Sequence, residues 1–212
     1  MKLYSYHRSS AAYRVRIALN LKGLPYEYLP VNLRQGEQRA APFRAINAQG
    51  LVPVLYDDRG AFTQSLAILE YLEERYPEPP LLPHAPEARA RVRAIALAIA
   101  CDIHPLDNLR VLQYLTRTLG ASEEAKNNWY RHWIELGLSA LEAQLAPDPA
   151  TGPFCNGALP TFADICLIPQ LANARRVPLS LDAYPTLLGI EAACAALPAF
   201  AAAAPPRQPD AV

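Results

Sequence analysis

The feature that most constrains this chain is a change of texture at residues 77–86. The segment reads PEPPLLPHAP, with five prolines in ten positions. Proline cannot continue a helix and biases the residue before it toward extended backbone, so this stretch reads as a linker. Before it, strand and helix signals alternate; beyond it, nearly everything has helical spacing. The chain is 212 residues long, enough to bury a core on each side of the break without disulfide or metal staples. Two domains are therefore expected: an α/β domain over 1–80 and an all-helical domain over 87–212.

Within the first part, residues 3–6 read as a strand followed by the polar turn His7-Arg8-Ser9-Ser10. Residues 11–21 have helical spacing, with Gly23 where a C-terminal cap belongs. Residues 26–31 and 52–56 read as strands, and 42–49 as a weak helix or loop. Asp57-Asp58-Arg59-Gly60 is a hairpin turn into a short strand at 61–63, and 65–76 is a helix with Ile68, Leu69 and Leu72 on one face. The order is β-α-β-α-β-β-α. In the second part, 87–119 is one long periodic run with a kink expected at Pro105, followed by helices at 122–145, at 161–174 behind the capping-box-like Thr161-Phe162-Ala163-Asp164, and at 183–196.

Composition excludes several classes of function. Twenty basic residues balance twenty acidic ones, which argues against a sequence-independent nucleic-acid binder or a polybasic membrane binder. No apolar run approaches the ~20 residues of a membrane span. Cys101, Cys155, Cys166 and Cys194 show neither CxxC pairing nor metal-ligand spacing, so no metal is expected and the chain reads as a soluble, cytoplasmic protein. One bias stands out: the basic residues are 17 arginines to three lysines.

Three constellations carry chemistry. Gln64-Ser65 opens a helix, where orphan N–H groups and the helix dipole favour an anion, although Ser65 could equally be a plain cap. Leu51-Val52-Pro53-Val54 places a proline inside a strand. A bend or a cis bond there would turn the Val52 backbone toward a peptide-like ligand, and an edge proline without a role is the alternative. Arg8-Ser9-Ser10 lies at the C-terminal end of the first strand, a favoured ligand position, where hydroxyls could lower the pKa of a thiol or merely cap the helix. Together the three suit one pocket of a thioredoxin-like fold. Without a cysteine in that first turn, the unit would have to borrow a thiol.

The segments SYHRSSAAYRVRIALNLKG, NAQGLVPVL, QSLAILEYLEERYP, CDIHPLDNLRVLQYL, LPTFADICLIPQLANARR and DAYPTL resemble zeta-class glutathione transferases, and among them the bacterial maleylacetoacetate and maleylpyruvate isomerases. The resemblance runs to about residue 200. It implies glutathione as cosubstrate, with Gln64 and Ser65 on its γ-glutamyl carboxylate, Val52 before a cis Pro53 on its backbone, and Gln49 alongside. It also implies that Ser9, with Ser10 beside it, poises the sulfur, and that His104 and Asn108 face thiol and substrate. Arg8, Arg110 and Arg176 match arginines of the family's substrate pocket, whereas Arg175, about 100° away around a helix, is expected to face elsewhere. The class motif often has Cys-Ser after the two serines; here Ala11-Ala12 follow, which puts glutathione affinity in question but keeps the serine.

The implied reaction is cis–trans isomerisation of a maleyl dicarboxylate in aromatic-compound catabolism, such as tyrosine and phenylalanine degradation. A thiolate adds to the alkene, the resulting single bond rotates, and the thiolate leaves, so the protein must supply an acidified thiol and cations for two carboxylates and an enolate. Guanidinium forks suit that task and keep their charge when partly buried. A homodimer is implied as well. Two other readings stay open: a general glutathione transferase or dehalogenase of small α-halo acids, and a non-catalytic interaction module of the same fold.

Overall fold

The computed structural model describes residues 1–211. The chain divides into two compact units, one of residues 1–81 joined by the segment from Ala195 onward, the other of residues 82–194.

In the first unit, β1 (Lys2–Ser5), α1 (Ser10–Leu21), β2 (Glu27–Pro30), α2 (Ala41–Ile46), β3 (Val54–Asp57), β4 (Gly60–Thr63) and α3 (Ser65–Arg75) follow one another in the expected order. The sheet runs β2-β1-β3-β4. The α1 crossover makes β1 parallel to β2, and the 57–60 turn makes β3 and β4 an antiparallel hairpin. Register places Leu3 opposite Leu55 and Tyr4 opposite Val54, so the period of two sends the leucines to one face and Tyr4 with Val54 to the other. The first face meets Ile17, Leu19, Ile68, Leu69 and Leu72 of α1 and α3, all fully buried. The second holds Tyr6, Val31, Phe43, Val52 and Val54, with Phe43 contributed by α2.

Two expectations change here. The third strand, expected at 52–56, begins at Val54, because Pro53 has no ladder donor; the Val52-Pro53 bond is cis. The alanine-rich C-terminal segment, expected inside the 87–212 helical domain, belongs with the first unit instead. Helix α8 (Pro185–Ala195) closes the second unit, and α9 (Pro198–Ala203), in the segment from Ala195 onward, packs on α1. The Asn20 side-chain amide donates to the Ala199 carbonyl at 3.0 Å and Arg16 Nε donates to the Ala203 carbonyl at 2.9 Å. A small-residue helix has no side-chain bulk to hold it elsewhere, so buried polar groups on α1 fix its place.

The proline-rich segment is tied down rather than loose. Leu81 and Leu82 are buried, and the Leu81 N–H donates to both oxygens of Glu73. Lys22, whose side chain is fully buried, lies 2.8 Å from Glu73 Oε2 and donates to the carbonyls of Tyr76 at 2.6 Å and Pro79 at 2.9 Å. An ammonium with three donors finds three acceptors, which is how a buried lysine is tolerated.

In the second unit, the run expected as one kinked helix is α4 (Pro86–Leu97), a π-helical stretch (Ala98–Ile103), a turn, and α5 (Leu109–Arg117). The register change precedes Pro105. Ile103, at the end of the π-helical stretch, lies against Gly137 of α6 (Glu123–Leu145), where a Cβ would stand 2.2 Å from Ile103 Cδ1 and force that side chain to move. α7 (Phe162–Ala174) is buried along almost its whole length, and Asp164 closes its capping box by accepting from the Thr161 N–H at 2.7 Å and the Cys155 N–H at 2.7 Å. Arg91 fastens the loop before it through Asp148, Thr151, Cys155 and Asn156. Between the π-helical stretch and α5 sits Asp107. It is buried, neither carboxyl oxygen has a hydrogen-bond partner, and burial pushes its pKa up to about 8.

Two stability tests follow. Lys22→Met, which leaves Glu73 and two carbonyls short of their donor, is expected to lower unfolding free energy by about 3 kcal/mol in urea titration. For Asp107, the folded pKa of about 8 lies above the unfolded value near 3.9, so its contribution is fully present below pH ~4 and lost as pH rises through 8. Asp107→Asn keeps the neutral shape. Its melting temperature should exceed that of wild type by a margin that grows from pH ~4 to ~8 and then levels. A margin independent of pH would contradict this.

Candidate functional site

The turn after β1 is short because Ser9 N–H closes back on the Tyr6 carbonyl at 2.9 Å. Ser9 then caps α1, its Oγ accepting from the Ala12 N–H at 3.2 Å. That is the capping role weighed from sequence, yet it leaves the hydroxyl's own hydrogen to donate elsewhere. Ser10 is the first residue of α1 and is 4% exposed, whereas Ser9 is half-buried. Of the two hydroxyls, Ser9 is the one presented outward. Arg8 is half-buried and lines a cavity of about 470 Å³ with His7, Arg34 and Asp210.

At the start of α3 the backbone takes an unusual form. Gln64 has φ 67° and ψ 114°, a left-handed conformation that no other described non-glycine residue adopts. Such backbone costs of order 1–3 kcal/mol and is typical of functional sites. The Gln64 side-chain amide donates to Gln49 Oε1 at 2.8 Å, so two predicted residues 15 positions apart meet directly. No side chain caps α3, and its first turn carries no acidic residue, which leaves N–H groups and dipole for an external anion. Ser65 Oγ is turned inward, 3.2 Å from Arg14 Nη1. Arg14 is 1% exposed and was not among the sequence candidates; it sets a buried positive charge beside this helix start.

Gln49 and Val52 are held by the turn between α2 and β3. Asn47 accepts from the Gln49 N–H at 3.1 Å and donates to the Leu51 carbonyl at 2.8 Å. Gly50 has φ 63°, and a Cβ on it would lie 2.8 Å from the Gln38 carbonyl oxygen, so no other residue fits. Val52 is buried at its side chain and precedes the first ladder pair, Val54 with Thr63, so it takes no part in the sheet register.

In the second unit, His104 is half-buried and ends the π-helical stretch, its N–H donating to the Ile99 carbonyl at 2.9 Å. Asn108 caps α5 through Oδ1, which accepts from the Arg110 N–H at 3.1 Å, so its NH2 group stays outside the cap. Arg110 and Arg176 are exposed. Arg175 makes a two-pronged pair with Glu191, at 2.6 Å on each prong. Asp107, one residue before Asn108, was also missed. Its signal was a charged residue lodged where the helix must break.

The first unit thus offers an anion cradle at α3, an unpaired stretch of backbone beside it, and a hydroxyl at α1, all without a thiol of its own. Relatives carry the same arrangement of domains. Residues 3–80 match the glutathione S-transferase N-terminal domain, and residues 133–202 match the C-terminal domain. The chain is 53% identical over 211 residues to a protein of Vibrio cholerae serotype O1 named "Probable maleylacetoacetate isomerase", covering 99% of this chain and 97% of that one. It superposes with TM-score 0.98 and 50% identity, over all of both chains, on the holo structure of a maleylpyruvate isomerase described as a bacterial zeta-class glutathione transferase. A maleylacetoacetate isomerase of Methylobacterium extorquens AM1, solved with bound malonate and glutathione, superposes with TM-score 0.97 and 45% identity over all of both chains. Full-length similarity at this level makes the chain a member of the zeta-class glutathione transferases, in the maleylacetoacetate and maleylpyruvate isomerase family.

Proposed function

We propose that this protein is a glutathione-dependent cis–trans isomerase that converts a maleyl dicarboxylate, maleylacetoacetate or maleylpyruvate, into its fumaryl isomer. The observation that carries the reading is the uncapped start of α3, where Gln64 is held in left-handed backbone against Gln49 and Arg14 lies buried behind Ser65. Those groups fit a ligand carboxylate: the N–H groups donate, the dipole and guanidinium attract, and the first turn of α3 carries no acidic residue. The relative solved with glutathione and malonate, itself a small dicarboxylate, supports the same reading.

When bound, glutathione supplies the sulfur nucleophile that relieves the alkene of its double-bond character. The residues of the chain do the rest. Gln64 and Ser65 bind the γ-glutamyl carboxylate, Gln49 stands beside them, and Val52, before Pro53, pairs with the peptide backbone. Ser9 donates its free hydroxyl hydrogen to the sulfur and favours the ionised form, with Ser10 fixing the first turn behind it. His104 and Asn108 serve the thiol and the substrate. Arg8, Arg110 and Arg176 neutralise the two carboxylates and the charge that develops on the ketone oxygen. Aromatic catabolism supplies such substrates. Four free cysteines support a reducing, cytoplasmic setting. Exposed Leu97, Tyr114, Leu119 and Leu136 support a homodimer.

Steady-state kinetics with both substrates tests the assignment. Ser9→Ala is expected to lower kcat about 100-fold with little change in the KM for glutathione. Arg176→Ala is expected to raise the KM for the dicarboxylate about tenfold or more. An unchanged KM would return Arg176 to the surface, and no turnover of either substrate by wild type would overturn the proposal.

A further inference from the structure

The turn that presents Arg8 and Ser9 is gripped from a distant part of the chain. Asp210 is largely buried, its side chain 15% exposed, and both of its oxygens are in use. Oδ2 accepts from the His7 N–H at 3.0 Å, and Oδ1 accepts from the Tyr28 hydroxyl at 2.6 Å. The other side of the same peptide segment is held as well: the His7 carbonyl accepts from Arg16 Nη2 at 3.1 Å, and the Tyr6 carbonyl accepts from Arg16 Nη1 at 3.4 Å. Between them, a carboxylate and a guanidinium fix the backbone immediately ahead of Arg8. Burial raises the Tyr28 pKa well above its ordinary value, with the Asp210 bond adding to the effect, so the hydroxyl remains a donor across the working pH range.

The segment bearing Asp210 is itself built to hold a position. Gln208 donates to the carbonyls of Ala202 and Ala204, each at 2.9 Å, and the Ala211 N–H closes on the Gln208 carbonyl at 3.0 Å. Arg16 Nε holds Ala203 from the α1 side. Asp210 and Arg8 also line the same cavity. A buried carboxylate is costly to desolvate, and here it is spent on two donors, one of them in the backbone of the turn that carries the expected thiol-poising hydroxyl.

We infer that Asp210 is a positioning residue for the reaction: by holding the His7 N–H it fixes the turn from which Arg8 and Ser9 reach their targets. The inference rests on the roles proposed above for those two residues. Misplacement of such groups by an ångström costs catalysis far more than it costs folding.

The test uses the full chain with Asp210→Ala and Asp210→Asn, reading four quantities: His7 amide hydrogen exchange, the ultraviolet titration of bound glutathione thiol, kcat with KM, and the melting temperature. In Asp210→Ala the His7 amide should exchange at least about tenfold faster. The thiol midpoint should rise by about half a pH unit. The kcat should fall about tenfold while the KM for glutathione changes less than about twofold. Asp210→Asn should restore most of this, because its oxygen can accept from His7 while its NH2 donates to the Tyr28 oxygen. A folded Asp210→Ala protein with wild-type thiol midpoint and kcat overturns the inference, as does unchanged His7 exchange. Should the alanine variant fail to fold, Tyr28→Phe removes one of the two donors and should shift the same readouts part of the way; no shift overturns the inference. Absence of a bound thiolate and of isomerisation in wild type would instead sink the isomerase reading and the role built on it, while leaving the His7 exchange effect in Asp210→Ala intact.

Discussion

A single buried guanidinium, that of Arg16 in the middle of α1, organises the first unit. It donates to the Ser5 hydroxyl and to the carbonyls of Tyr6, His7 and Ala203, and stacks over the Tyr13 ring at 5.1 Å. Burial disfavours its charge and pulls its pKa down, and the ring of oxygens offsets that cost. The end of β1, the turn after it and the C-terminal segment are thereby fixed to one helix. No apolar side chain could do this, because the His7 carbonyl and the Ala203 carbonyl at the end of α9 would lose the donor that Arg16 supplies.

The same helix carries a second buried arginine with a different task. Arg14 reaches Ser65 at the start of α3, so α1 connects the hydroxyl turn at its N-terminus with the anion cradle opposite. The two halves of the glutathione side proposed above are thus set by side chains of one element, which is how a site keeps its geometry. The strain at Gln64 is sustained in that frame by its bond to Gln49 and by the fully buried face of α3 below it. The charge balance of the chain conceals all of this: a neutral total is compatible with cations concentrated at one place.

Much of this was legible in the sequence wherever a residue type has one strong physical reason to be where it is. The proline-rich stretch contains the boundary between the two units, the Thr161–Asp164 box marks the start of α7, and Gln64-Ser65 marks the start of α3. Arg14 and Arg16 were not legible, because hydrophobic periodicity reads an arginine as a solvated position and cannot show that its partners are carbonyls brought there by the fold. The C-terminal helix was missed for a related reason. Alanine has no preference between two surfaces, and what decides the matter is a pair of donors, Arg16 and Asn20, some 180 positions earlier. The π-helical stretch begins seven residues before Pro105, at Ala98, and its last residue, Ile103, packs on Gly137 of another helix, a contact that local spacing does not show. Asp107 needed burial to become notable, and burial is a property of the fold.

In the proposed reaction this scaffold uses glutathione as a recycled nucleophile and not as a consumed reagent. Proton NMR of maleylpyruvate with the enzyme and glutathione far below substrate concentration reads this directly. The expected result is replacement of the cis alkene signals by trans signals at constant total alkene, with glutathione unchanged at the end. Loss of alkene signal together with stoichiometric glutathione consumption would mark a conjugating transferase and contradict the account.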